Sequence, residues 1–431
     1  MRNVTVSSDP SISHLVVSWI LMIPFVCFAS DGLLWFRSGN NELTSTFGLL
    51  GGAQAGTQDY TAISILLFAI VPVVLFPKIK PVIELCRRDR VFAALAVWTV
   101  LSCFWSQFPM VSLEWAPVAV LDIVFAFYLY RRFTPGQQMR LLLLFGWLCL
   151  LLSIALSLFF PQYGIDHTGT TGAWRGMYPQ KNMCSMTTAF LMLGALYAPA
   201  TSFLFKVSRV AYVCLSVFLI IMTQSATGKI TLVCLLAYFV ATRLASGLRS
   251  RERAVALAMG TMIALALVGI GISEREGILL LLGKDSTLTS RTEIWKAIIP
   301  SIMKHPILGY GIKAFWRGYQ GESANVSLAA HWAVPSAHNA LLEVWLGLGA
   351  VGVALVAYSM VRAIRDAFVC LRAGKSPYLA WCACLIFLTI ITSLDEAELV
   401  TPYSLSWILY ILACLGLSEG ARRIRLGLDC G

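Results

Sequence analysis

Long apolar runs, separated by short polar segments, repeat along most of the 431-residue chain. Many of these runs approach the roughly 20 residues that an α-helix needs to cross a bilayer. A membrane β-barrel would show short segments of alternating polarity instead. The pattern therefore predicts an all-α, polytopic integral membrane protein with about 12 transmembrane helices. The predicted spans are roughly 14–34, 60–77, 91–106, 114–130, 141–160, 183–200, 210–224, 229–243, 254–272, 338–361, 378–394 and 404–419.

The spans divide the chain into three parts. A transmembrane bundle of about nine spans takes up residues 1–272, and about three further spans take up residues 338–431. Between them, residues 273–337 form a polar loop of a length that is usually functional or disordered. The segment GLLGGAQAG at 48–56 is shorter than a span, and residues 43–57 are expected to form a re-entrant segment or a loop. If they span the membrane instead, the N-terminal orientation changes.

Composition and charge set the class and the topology. Only 13% of the residues are charged and 58% are hydrophobic, which excludes a soluble protein of this length. The net charge of +11 is explained by basic inner segments rather than by nucleic acid, because basic residues collect on the cytoplasmic side of membrane proteins. Every short inner segment is basic when both termini are cytoplasmic, so the long loop lies outside. The twelve cysteines are scattered and do not form a disulfide framework.

The long outer loop contains a predicted amphipathic helix. The sequence SRTE at 290–293 fits a capping box, in which Ser290 caps the helix and Glu293 reaches back. His305 and Pro306 end it. The apolar face comprises Ile294, Trp295, Ile298, Ile299, Ile302 and Met303, and a helix of this kind lies on a membrane surface.

Arg291 stands in the first turn of that helix, where the helix dipole disfavours a cation. An anion bound nearby would remove the conflict, because free N–H groups and a guanidinium attract the same ligand. The alternative is an arginine that extends to the membrane interface without a further role. Lys229, Lys181 and Arg175 add outer cations, a pattern that suits a diphosphate ligand.

His338 is expected in the first turn of the tenth span. The positive end of a helix favours a neutral imidazole, which can accept a proton from a hydroxyl. The alternative is an inert, hydrogen-bonded histidine at a helix cap. The carboxylates Asp395, Glu396 and Glu398 are interpreted as solvated in a short outer loop. No cluster with metal-ligand spacing is otherwise present on this face, so neither a metal nor a cofactor is expected.

Several segments resemble the O-antigen ligase and polymerase superfamily. TSRTEIWKAIIPSIMKHPILGYGIKAFW (289–316) and SAHNALLEVWLGLGAVGVAL (336–355) are similar to its signature of an Arg-x-x-x-Trp helix, a Pro-x-x-Gly-x-Gly turn and a His-Asn pair before an apolar helix. WRGMYPQKN (174–182) resembles its Gly…Lys-Asn segment. SLDEAELVTPYSLSWILY (393–410) resembles the closing segment of its exopolysaccharide polymerases. The similarity covers roughly residues 170–415.

The resemblance implies a glycosyltransferase C-like bundle of about twelve spans, with a metal-independent, inverting transfer of glycan from undecaprenyl diphosphate. Arg291 would bind the diphosphate, and His338 would act as the base or orient the acceptor. The substrate-binding candidates are Lys229, Lys181, Arg175, Asn182, Asn339 and Trp295. A second family arginine usually follows a serine at the start of the eighth span. Here Ala226 follows Ser225, and Lys229 is the candidate replacement, although lysine lacks the planar fork.

Three functions are compatible with these features. The favoured one is a polymerase of exopolysaccharide or O-antigen repeat units, acting on the periplasmic face of a bacterial inner membrane. The alternative is an O-antigen ligase that moves polymer onto lipid A core. A lipid-linked glycan flippase or transporter is a third, although mid-span charge is nearly limited to Asp122. The expected partners are the lipid-linked glycan, membrane lipids, and a chain-length regulator or export complex.

Overall fold

A computed structural model describes residues 79–166, 172–200, 202–245, 247–249, 252–253, 255, 289–374 and 376–428. The predicted spans at 14–34, 60–77 and 254–272, and the glycine-rich segment at 43–57, lie outside these residues. Within them, each predicted span coincides with a helix, and the chain is a mostly helical, multi-pass membrane protein.

The described helices are α1 (Ile79–Arg88), α2 (Arg90–Leu101), α3 (Pro109–Arg132), α4 (Pro135–Phe159), α5 (Pro161–Gly164), α6 (Lys181–Tyr197), α7 (Phe203–Met222), α8 (Ala226–Ala245), α9 (Thr289–Lys304), α10 (Ser323–Ala330), α11 (Ala340–Ala373), α12 (Pro377–Ser393) and α13 (Leu405–Arg425). A 3₁₀ turn at Ser102–Trp105 continues α2. Two short antiparallel strands, β1 (Ile165–Asp166) and β2 (Ala173–Trp174), pair Ile165 with Trp174. Among the described helices, α3, α4, α7, α8 and α11 are long and apolar enough to cross a membrane.

Local sequence sets several helix starts. Thr134 and Gln137 form a reciprocal capping box at the start of α4. In contrast, Ser290 does not occupy the cap position predicted for it, because it lies inside α9, which the structure describes from Thr289 onward. The predicted end of this helix before His305 is confirmed.

The loop helix α9 uses a narrower apolar face than predicted. Ile294, Ile298 and Ile302 are buried, one turn apart, whereas Ile299 and Met303 are exposed. The buried stripe packs on other parts of the same loop and on α11, forming a separate apolar cluster. The described part of the loop, residues 289–337, is therefore a small packed unit that lies against the bundle.

Helices α6, α12 and α13 form the centre of the described bundle, and their buried residues cover all faces. Helix α6 packs against α4, α7 and α8, while α12 packs against α13. Trp381, Trp407 and Tyr410 are fully buried there. The rings of Trp407 and Tyr410 stack with their centroids 5.4 Å apart. Because α6 has 17 residues, its two ends lie about 26 Å apart, close to the thickness of a bilayer core.

Candidate active site

The long loop docks onto α11 through paired backbones. Helix α11 is interrupted at Gly349, whose φ of 68° and ψ of −171° are not helical. The carbonyl groups freed by this break accept hydrogen bonds from the loop: Tyr310 N donates to Leu346 O at 2.8 Å, and Gly311 N donates to Gly347 O at 2.9 Å. A side chain at Gly349 would collide with the loop backbone. The glycines of the Pro-x-x-Gly-x-Gly turn and of the apolar helix therefore allow the loop backbone to pack directly against α11.

The turn that carries His338 is held on both sides. The N–H of Ala337 donates to the Glu343 carboxylate at 2.9 Å, and its carbonyl accepts from Trp295 Nε1 of α9 at 2.8 Å. Asn339 caps α11 by accepting from the backbone of the first turn. His338 thus lies just before the cap, with a φ of 47°, and not in the first helical turn as predicted.

Arg291 reaches the short loop between α12 and α13. Its Nη1 pairs with Asp395 Oδ1, and its Nη2 lies 3.5 Å from Glu396 Oε1. The side chain of Arg291 is only 12% exposed, so these contacts are largely shielded from water. The anion expected beside this helix start is therefore supplied, in the protein itself, by two carboxylates.

Glu396 lies at the centre of the cluster. Its Oε2 is 3.4 Å from His338 Nδ1, and its Oε1 accepts from Asn182 Nδ2 at 3.0 Å. Nδ1 is buried and makes no well-directed hydrogen bond within the described residues, so its contact with Glu396 is chiefly electrostatic. Burial alone raises the pKa of Glu396, but His338, Arg291 and the Asn182 amide together outweigh it and lower that pKa. Glu396 is therefore ionised at neutral pH.

A polar network joins this cluster to the start of α8. Thr227 Oγ1 donates to Asp395 Oδ2, while Ser225 Oγ donates to Asn182 Oδ1 at 2.8 Å and accepts from Gly228 N at 3.0 Å. Asn182 uses its amide oxygen and nitrogen in opposite directions, which fixes its orientation between α8 and Glu396. Five separate parts of the sequence thus converge at one end of the bundle.

The interpretation of the three carboxylates as solvated is wrong. The side chains of Asp395 and Glu396 are 15% and 12% exposed, and both contact Arg291. Glu398 accepts hydrogen bonds from Ser404 at 2.7 Å and Ser406 at 2.8 Å. The sequence contained one signal for this pairing: several cations were predicted on the outer face, and such cations need carboxylate partners on the same face.

Lys229 lies on the surface of α8. It is exposed, as is Ala226, whereas the intervening Thr227 and Gly228 are buried against the cluster. The polar side chain that α8 directs into the cluster is therefore Thr227.

Lys181 and Arg175 occupy the segment that leads into α6. Lys181 is half-buried and opens the helix next to Asn182. Arg175 is buried, and its guanidinium donates to the carbonyl oxygens of Tyr163 at 2.9 Å and Gln162 at 3.5 Å. Burial lowers its pKa to about 10. These hydrogen bonds hold the loop that precedes α6.

Within the described residues, no group of three or more His, Cys, Asp or Glu side chains is arranged to hold a metal ion. The cluster instead combines a guanidinium, an imidazole, two carboxylates and an amide. The imidazole and the carboxylates can accept and pass on a proton, while the positive charge of the guanidinium is balanced in this structure by Asp395 and Glu396.

Residues 211–357 match the family model described as O-antigen ligase. This part of the chain is therefore similar to proteins of the O-antigen ligase and polymerase superfamily. The chain is also similar to the exopolysaccharide production protein ExoQ of Rhizobium meliloti (strain 1021), with 26% identity over 343 residues, which cover 74% of this chain and 75% of the relative. These similarities support a role in O-antigen ligation or exopolysaccharide polymerisation, with lipid-linked polysaccharide as the class of substrate.

The matched region contains Lys229, Arg291 and His338, but it stops short of the segments that hold Asn182 and Glu396. The cluster therefore extends beyond the matched domain on both sides in sequence. Its carboxylates come from the closing segment that resembles exopolysaccharide polymerases.

Proposed function

We propose that the chain is a polymerase of exopolysaccharide repeat units, which it transfers from undecaprenyl-diphosphate-linked donors. The observation that supports this proposal is the convergence of Arg291, His338 and Glu396 in one shielded cluster. The cluster lies at the end of the bundle opposite to the predicted inner arginines, and the positive-inside rule therefore supports the proposal that it faces the periplasm.

In the proposed reaction, the hydroxyl oxygen of the acceptor sugar attacks C1 of the donor sugar. The bond between C1 and the diphosphate oxygen breaks as the new glycosidic bond forms, so one displacement inverts the configuration at C1. The hydroxyl proton passes to Nε2 of His338. Because Nδ1 faces Glu396 at 3.4 Å, the imidazolium that forms is stabilised by an adjacent carboxylate.

The contact with Glu396 changes the physical argument for His338 as the base. The sequence suggested a neutral imidazole because of the positive helix end, whereas the structure adds a carboxylate that attracts the protonated ring. Glu396 is therefore proposed as the positioning partner of His338.

The leaving diphosphate gains negative charge, which Arg291 is proposed to stabilise. Asp395 and Glu396 fix the plane of the guanidinium, since they contact its two terminal nitrogens. Lys229 on the exposed side of α8 and Lys181 at the start of α6 are the further cations proposed to attract the donor. Asn182, Asn339, Trp295 and Arg175 remain proposed substrate-binding residues.

The alternative function is the ligase, and the description of the matching family favours it. The similarity to an exopolysaccharide production protein favours the polymerase. A transporter is less well supported: the break in α11 exposes carbonyl groups, but the loop N–H groups of Tyr310 and Gly311 bind two of them.

The test uses a deletion strain complemented with two matched histidine variants. His338 and His331 both have left-handed backbones, with φ of 47° and 62°, and His331 is exposed at the end of α10. Asparagine tolerates this conformation, so His338→Asn and His331→Asn both keep the backbone. His338→Asn should abolish polymer while the protein accumulates in the membrane, and His331→Asn should restore it.

Glycan size distinguishes the candidates. Loss of everything beyond one repeat unit supports the polymerase, whereas free polymer with unmodified lipid A core supports the ligase. Near-normal polymer from His338→Asn at matched protein amounts would remove the catalytic assignment.

A further inference from the structure

A second cavity opens at the end of the bundle opposite to the candidate active site. It has a volume of about 620 Å³ and lies among α3, α4, α6, α12 and α13. Helix α6 connects the two ends, with Asn182 at the active-site end and Tyr197 at the cavity. We call this cavity the basic cleft.

Four arginines line the basic cleft: Arg131, Arg209, Arg243 and Arg423. Glu419 is the single carboxylate among the described lining residues, and it pairs with a neighbouring arginine outside the lining at 2.9 Å. Within the described part of the chain, neither Arg131, Arg209 nor Arg423 forms an ion pair with a carboxylate. The cleft therefore has a strong excess of positive charge.

Two of these arginines are held rigidly. Arg209 donates to the carbonyl oxygens of Ala195, Leu196 and Ala198 at 2.5, 2.9 and 2.7 Å. Arg243 Nη2 lies 3.4 Å from the same Leu196 oxygen, so the two like charges are close together. Carbonyl groups at the end of a helix attract cations, which accounts for this pair. It does not account for Arg131 and Arg423, which are exposed and come from two other helices.

The remaining walls of the basic cleft are largely apolar. Phe133, Met139 and Leu379 are buried residues of the lining and come from the end of α3, the start of α4 and α12. A small soluble anion would satisfy the arginines but would leave these side chains facing water. A ligand with a charged head and an apolar chain matches both kinds of surface.

We propose that the basic cleft binds a phosphate-bearing amphiphile, with its phosphate against Arg131, Arg209 and Arg423 and its chain along the apolar walls. Guanidinium groups bind phosphate through charge-assisted hydrogen bonds, and within the described residues none of these three side chains has its charge balanced by a carboxylate. The ligand is either an anionic phospholipid of the bilayer or a polyprenyl phosphate. Its binding is independent of the transfer reaction at the other face.

The experiment compares two double variants of the full-length protein in nanodiscs. Arg131→Gln/Arg423→Gln removes two exposed cleft charges and leaves the backbone contacts of Arg209 intact. Lys206→Gln/Arg365→Gln removes two charges near the same end of the bundle, outside the lining. The probes are phosphatidylglycerol, undecaprenyl phosphate, phosphatidylcholine and inorganic pyrophosphate, and bound ligand is counted by native mass spectrometry.

Wild type and the control variant should retain phosphatidylglycerol or undecaprenyl phosphate in preference to phosphatidylcholine. The cleft variant should bind the preferred probe about tenfold or more weakly, since it loses two charge-assisted contacts. Whichever of the two anionic probes is retained identifies the source of the phosphate. Equal retention by all three proteins, or an equal loss in the control variant, would overturn the proposal. Binding of pyrophosphate without either lipid would show that the ligand is a soluble anion, and would overturn it as well.

Discussion

Replacement of Glu396 by glutamine tests the proposed role of the carboxylate beside His338. Glutamine is nearly isosteric and keeps an amide that can bond with Asn182, which lies at 3.0 Å from the native side chain. It removes the negative charge that faces His338 at 3.4 Å and Arg291 at 3.5 Å. The change therefore alters charge far more than shape.

The expected magnitude follows from the contact with His338. A close polar contact to a charged group contributes about 1.5–3 kcal/mol, and this one strengthens when the imidazole takes up the proton. Since each 1.4 kcal/mol corresponds to a factor of ten in rate, Glu396→Gln should slow transfer roughly 10- to 150-fold. The effect should appear in kcat rather than in the KM for the donor, because Glu396 is proposed to act in the transition state.

The assay measures repeat-unit polymerisation in reconstituted membranes with undecaprenyl-diphosphate glycan as the donor. Glu398→Gln is the matched control in the same loop, since that carboxylate accepts hydrogen bonds from Ser404 and Ser406. Melting temperatures of all proteins report whether the fold is kept. Wild-type kcat in Glu396→Gln, with normal melting, would show that His338 needs no ionised partner and would refute the reasoning.

Three further predictions concern the same cluster. Arg291→Lys should slow transfer on the order of a hundredfold, nearly as much as Arg291→Ala, because lysine keeps the charge but loses the planar fork. Lys229→Ala should slow transfer less than Arg291→Ala does, and Lys229→Arg should leave the rate close to that of wild type. The same polymerisation assay measures all four rates. EDTA should leave the purified protein active, and restoration of lost activity by a divalent ion would contradict this. The pKa of Glu396 is lowered from its ordinary value of 4.5 by folding, so its stabilising contribution is present above that pH and is lost as the pH falls through the lowered value. The melting temperature of wild type should therefore fall more steeply in acid than that of Glu396→Gln, and parallel curves would count against it.

The positions of the described membrane spans could be predicted from the sequence because hydrophobic runs of span length are local signals. Arg291 and His338 could be selected because a cation in the first turn of a helix and a histidine at the head of an apolar run are also local signals. The resemblance to family motifs supports both. The structure brings them together through Glu396. The roles of His338 and Arg291 in catalysis remain predictions.

The carboxylate partners could not be assigned from local pattern. Arg291 and Asp395 are 104 residues apart in sequence, and nothing in a short polar loop distinguishes a paired carboxylate from a solvated one. The break at Gly349 was hidden for a related reason. From the sequence alone, a glycine inside an apolar run indicates close packing between helices. Its positive φ becomes understandable only when the loop backbone is seen to approach it.

The backbone pairing between the long loop and α11 has a consequence for engineering and for evolution. Because Tyr310 and Gly311 bond to Leu346 and Gly347 through main-chain atoms, the loop completes a span that is otherwise left with open carbonyl groups in the membrane. The two segments therefore form one structural unit, and we expect them to be exchanged together between related proteins. A chimera that takes the loop from a relative should also take the first half of α11, because at Gly309 and Gly349 the two backbones lie too close together for a side chain on either residue.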